Sequence, residues 1–168
     1  GGAALVLWTV LPTGAFTAAA LAIAGVLHLV RLARWAGERT FPDRLVLILH
    51  LAYAFVPVGF LLSALGALGR VLPSAGIHAW TGGAIGVMTL AVMTRATLGH
   101  TGRALAASMA TQFIYGAVIA AALLRVCAAL RPDHADGLLY GAGLAWAAAF
   151  VGFVVVYGGL LCRRRAVA

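Results

Sequence analysis

The chain has 168 residues, 64% of them hydrophobic and 10% charged, with a mean hydropathy of +1.05. A soluble domain carries roughly 25% charged residues, so a water-soluble fold is excluded and lipid is the solvent this composition suits. The net charge of +8 comes from twelve basic residues, all arginine; they sit at the ends of apolar runs, where they orient helices in a bilayer rather than bind nucleic acid.

Five stretches lack Asp, Glu, Lys and Arg: residues 1–30, 45–69, 71–94, 104–124 and 137–162. About 20 apolar residues cross a hydrocarbon core as helix, and runs this continuous do not suit strands. The expectation is an all-α membrane protein, a bundle of about five transmembrane helices at 5–30, 45–68, 76–97, 106–127 and 138–161. It forms one transmembrane helical domain over 1–168. Arg31, Arg34, Arg39, Arg44, Arg95, Arg103, Arg163, Arg164 and Arg165 fall on one side, against Arg70, Arg125 and Arg131 on the other. The positive-inside rule makes the first side cytoplasmic, with the N-terminus outside and the C-terminus cytoplasmic. An outside start with no signal peptide reads as the C-terminal fragment of a longer multispanning protein.

In the first helix, Pro12 and Gly14 predict a kink, and the helix ends at Leu27-His28-Leu29-Val30-Arg31. The loop LARWAGERTFPD is amphiphilic and suits the headgroup layer, and Pro42-Asp43 opens the second helix. There His50, Tyr53 and Pro57 share one face. Pro57 removes a backbone donor and frees the carbonyl of Tyr53, so that face points into the bundle. Ser74 is expected to cap the third helix, His78 lies in its first turn, and Gly82 and Gly86 form a G-x-x-x-G pair that lets a helix or a flat ligand approach. Gly99 is expected to end it, with His100 in the following turn. The fourth helix carries Gln112 and Tyr115, and the fifth carries Trp146 and Tyr157. Cys127 and Cys162 fall near opposite faces, too far apart for a disulfide.

Polar groups within a span are costly and mark function. His28, His50 and His100 fall in the cytoplasmic half or at that surface, and His78 at the opposite face. Neutral imidazole is the commonest metal ligand, and membrane haems are held by histidines on facing helices. His28, His50 and His100 are therefore candidate haem or metal ligands, with Arg95 and Arg103 as partners for haem propionates and the glycines admitting the porphyrin. His78, about 33 Å from His100 along a continuous helix, would belong to a separate metal site. The competing reading makes each histidine an interfacial residue and Arg95 a positive-inside anchor. Met88 and Met93 could offer sulfur to Cu(I) but have the spacing of core residues. Glu38, Asp43, Asp133 and Asp136 all lie in loops, and no P-loop, C-x-x-C or H-E-x-x-H occurs; no catalytic residue is assigned and an acid–base hydrolase is disfavoured.

The stretch HAWTGGAIGVMTLAVMTRATLGHTGR, from His78 to Arg103, resembles the NnrS family of bacterial membrane proteins. The resemblance extends through Leu27-His28-Leu29-Val30-Arg31-Leu32 and Ile48-Leu49-His50-Leu51-Ala52-Tyr53 to Pro57-Val58-Gly59, covering roughly residues 25–105. It implies a multi-pass protein of the bacterial inner (cytoplasmic) membrane with about twelve helices. The five here would be the C-terminal part, packing on the remaining helices and the lipid bilayer. It implies haem and copper as cofactors, His28, His50, His78 and His100 as ligand candidates, and a role in the nitric oxide stress and denitrification response, with nitric oxide as small-molecule ligand. The alternative from the residues alone is a multispanning transporter or channel without a redox cofactor, built on the Pro57 break, the glycine-rich helices and the polar cluster around Arg95.

Overall fold

The computed structural model describes residues 1–162; Arg163, Arg164 and Arg165, which enter the orientation argument, lie outside the described residues. The elements are α1 (Gly2–Val10), α2 (Ala15–Ala33), α3 (Arg44–Ala67), α4 (Ser74–His78), α5 (Val87–His100), α6 (Met109–Leu130) and α7 (Ala135–Cys162), with no strand among the described residues. A π-helical segment, Ala79–Gly86, joins α4 to α5 without a break. Five spans are long and apolar enough to cross a membrane: Ala15–Ala33, Arg44–Ala67, Ser74–His100, Met109–Leu130 and Pro132–Cys162. The all-α, five-span expectation is met.

The expected first helix, 5–30, is divided rather than kinked. Pro12 cannot continue the hydrogen-bond ladder, and Gly14 takes φ +112, a conformation open to glycine. The Gly14 amide instead donates to the carbonyl of Ala67, 2.9 Å away, which ties the turn to the end of α3. The short α1 folds back along α2 and brings Gly1 beside the imidazole of His28.

Helices α2 and α3 pack as an antiparallel pair, as do α6 and α7, and the π-helical segment lies between α3 and α6. One apolar core, including Ile48, Phe55, Val87, Leu90, Val118 and Phe153, joins α3, α5, α6 and α7. A smaller one, built on Leu21, Phe60 and Ala64, joins α1, α2 and α3. Large apolar residues such as Phe16, Ile23, Val92, Phe113 and Val155 are exposed, as a lipid-facing surface requires.

The helix ends follow their local chemistry. Asp43 caps α3, accepting from the amides of Leu45 and Val46 at 3.0 and 3.2 Å, and Ser108 caps α6 through the amide of Thr111. Ser74 is the first helical residue rather than a cap, and no side-chain cap bond forms there. The expected stop at Gly99 also shifts. The helix runs through His100 and closes at Gly102, with φ +67 and the Arg103 amide bonded to the Leu98 carbonyl at 3.0 Å, a left-handed glycine cap.

Tight helix contact explains the glycine-rich third span. A side chain at Gly59 would meet the indole of Trp80, one at Gly83 the ring of Phe55, and one at Gly76 the hydroxyl of Ser63. Trp80, seated in the notch at Gly59, donates its indole N–H to the Val56 carbonyl at 3.0 Å, next to Pro57. The π-helical turn holds Trp80 and Gly83 in this contact; such wide turns recur at functional sites.

Candidate functional site

His28 on α2 and His50 on α3 take part in one aromatic cluster. Tyr53 is one turn beyond His50, so both project from the same face of α3. The Nδ1 of His28 lies 2.7 Å from the Tyr53 hydroxyl, and Phe60 stacks on the His28 ring at 5.2 Å with planes 14° apart. Trp35, in the loop after α2, packs at 4.5 Å on Tyr53 and stands edge-on to His50 at 5.9 Å. Arg31 sets its guanidinium 5.4 Å from the Trp35 ring and 6.0 Å from the Tyr53 ring, within cation–π reach of both.

The ring nitrogens carry the chemistry. The Nδ1 of His50 lies 3.1 Å from the carbonyl of Val46. A carbonyl only accepts, so Nδ1 bears the proton and Nε2 keeps a lone pair. For His28 the partner is a hydroxyl, which can donate or accept; in the tautomer with the proton on Nδ1, Nε2 keeps the lone pair. A metal-binding histidine has this form, its second nitrogen donating to an outer partner that fixes the ring. Against each imidazole edge lies a glycine: Gly37 at His50 and Gly1 at His28.

Arg95, His100 and Arg103 are all exposed, around the end of α5. Helix α5 packs on α3, α6 and α7, whereas α2 packs on α1 and α3. The structure thus joins His28 and His50 through Tyr53 and Trp35, and sets Arg95, His100 and Arg103 on a separate helix end. Among the described residues no group of three or more His, Cys, Asp or Glu side chains converges on one point. His134 lies in a short turn, Pro132–His134. Cys127 and Cys162 are free thiols.

His78 stands at the other end of the continuous run Ser74–His100. It lines a cavity of about 480 Å³ between the π-helical segment, α6 and α7, together with Thr81, Gly82, Arg125, Gly143 and Trp146. At the opposite end of α6, the Thr111 and Tyr157 hydroxyls meet at 2.5 Å, and Ser108 joins Thr111 at 3.0 Å. The neighbouring Tyr115 hydroxyl is buried.

The donor chemistry of His28 and His50 fits a metal or a haem iron: each ring is oriented, His50 Nε2 keeps a lone pair, and His28 Nε2 does so in its Nδ1-protonated tautomer. The expected role of the glycines in admitting a porphyrin does not fit at Gly83 or Gly86. Phe55 fills the notch at Gly83, and a side chain at Gly86 would come within 2.6 Å of Trp146. Gly82 alone of the three borders open space, in the His78 cavity.

Tyr53, Trp35 and Arg31 are additions to the residues expected from sequence. The Arg31 and Trp35 pairing follows from their spacing of four. The link from Tyr53 to His28 crosses two helices and has no sequence signal.

Nothing among curated proteins or solved structures matches the chain. A family model described as NnrS protein matches residues 1–165, a span that contains every side chain of the cluster and of the cavity. The chain is therefore a multi-pass membrane-helix member of the NnrS family.

Proposed function

We propose that this chain is the membrane-embedded, cofactor-holding part of a protein that serves the nitric oxide response and relieves nitrosative stress in the bacterial inner membrane. Haem is the cofactor, with copper as a second metal, and His28 and His50 are the ligands. A haem iron or copper ion would supply a coordination position for nitric oxide. The observation that carries the reading is the pair of oriented imidazoles on adjacent helices, with His28 held by Tyr53 at 2.7 Å and His50 by Val46 at 3.1 Å. Family membership supplies the physiological context.

Within this reading the protein's own residues have defined tasks. Tyr53 and the Val46 carbonyl fix the rings, and Phe60 and Trp35 exclude water from them. Arg31 provides a cation beside the cluster, while Arg95 and Arg103 remain candidates for an anionic edge of the cofactor. His78 and His100 are candidates for further metal binding. The test is the haem spectrum and copper content of the full-length protein in mild detergent, compared with single His→Ala changes at 28, 50, 78 and 100. Loss of cofactor in the His28 or His50 variant supports the reading. Full content in both would overturn it.

A further inference from the structure

Arg125 lies on α6, five residues before its end at Leu130, roughly 8 Å into the span at 1.5 Å per residue. His78 is four residues into its own span, a similar depth from the same end of the bundle. The chain has four acidic residues, and Arg125 forms no ion pair with any of them among the described residues. Arg125 is exposed there, close enough to the helix end for its guanidinium to reach the headgroup layer, where an anion would balance it. Beside it the cavity offers His78 as a second polar group, Trp146 as an aromatic wall, and a floor of Gly82 and Gly143. The Thr81 hydroxyl already donates to the Ile77 carbonyl at 2.8 Å, so Arg125 and His78 are left as the donors for an anion.

We propose that this cavity is a binding site for an anionic phospholipid of the leaflet on that side, with the phosphodiester on Arg125 and His78 and the glycerol and upper acyl chain against Trp146 and Gly143. Its position selects this occupant: the cavity lies between helices that face lipid, at the depth where an arginine reaches headgroup phosphates. The site is separate from the His28 and His50 cluster and does not rest on their cofactor; at His78 it takes the place of further metal binding.

The experiment uses the full-length protein in mild detergent, titrated with brominated phosphatidylglycerol or brominated phosphatidylcholine, with tryptophan fluorescence as readout. Phosphatidylglycerol should quench in excess of phosphatidylcholine, and Trp146→Phe should abolish the excess. Arg125→Gln should weaken phosphatidylglycerol binding by about fivefold, the worth of one arginine near an anionic headgroup. Gly143→Leu provides a second variant: no atom lies within 4 Å of a side-chain carbon built there, so it should fold normally, fill the cavity and remove the excess. Equal quenching by the two lipids in the wild type, an excess that survives both Arg125→Gln and Gly143→Leu, or displacement of the lipid by millimolar inorganic phosphate would each overturn the proposal.

Discussion

The Nδ1 of His28 and the hydroxyl of Tyr53 lie 2.7 Å apart across the interface of α2 and α3. This contact fixes one imidazole from a neighbouring helix, whereas His50 is fixed from within its own helix by the carbonyl of Val46. The two histidines therefore differ in how they can be perturbed. His50 keeps its ring orientation as long as α3 is intact, and His28 depends on a side chain that can be removed cleanly.

Tyr53→Phe keeps the ring packed on Trp35 and deletes the hydroxyl. Removing an outer partner of a metal-binding histidine costs about 10- to 100-fold in metal affinity. Tyr53→Phe should weaken cofactor retention by about tenfold or more while changing fold stability by only about 1 kcal/mol. Equilibrium dialysis against a copper chelator, with the haem spectrum recorded in parallel, measures it. Retention equal to wild type would remove Tyr53 from the site.

The glycine notches are predicted to be structural. A side chain at Gly83 would meet the ring of Phe55, so Gly83→Ala should destabilise the bundle by roughly 1–3 kcal/mol, the usual cost of overpacking. Adding Phe55→Leu should recover part of the loss. Gly116, whose added carbon would meet nothing within 4 Å, is the comparison, and Gly116→Ala should stay within about 1 kcal/mol of wild type. Thermal unfolding in detergent reads all four proteins, and equal midpoints for the Gly83 and Gly116 variants would contradict the packing account.

Much of the architecture was readable from charge placement. The gaps from Arg44 to Arg70, from Arg70 to Arg95 and from Arg103 to Arg125 mark the three middle spans, because a membrane helix tolerates so few ionised groups. Asp43 before an apolar run marked a helix start in the same way. Other features needed contacts between distant parts of the chain. The break at Pro12 to Gly14 depends on Ala67 accepting the Gly14 amide. The wide turn after His78 accompanies Trp80 reaching Val56 on another helix. Periodicity placed Tyr53 on the face of His50 and gave no sign that its hydroxyl reaches His28. The G-x-x-x-G pair Gly82 and Gly86, with Gly83 beside it, is ambiguous in sequence between helix packing and ligand access; Phe55 at Gly83 and Trp146 at Gly86 decide for packing there, while Gly82 borders the cavity. In sequence Arg125 is only one charge that helps orient the helices; its place beside His78 comes from the approach of α6 to the π-helical segment.

The 2.5 Å contact between Thr111 and Tyr157 is predicted to tie α6 to α7. Thr111→Val and Tyr157→Phe should each cost about 0.6–1.7 kcal/mol, the range for interhelical hydrogen bonds in membrane proteins. The double variant should cost less than the sum, because both remove the same bond. Full additivity in thermal unfolding would show that the two hydroxyls act independently.

Ligation by His28 and His50 is tested most directly by the haem and copper content of the full-length protein with His28→Ala and His50→Ala, each compared with wild type purified in the same detergent. Wild type should carry haem, and each substitution should lower cofactor content or shift the haem spectrum, with the variants still folded by circular dichroism. Folded variants that keep the wild-type spectrum and copper content would contradict it.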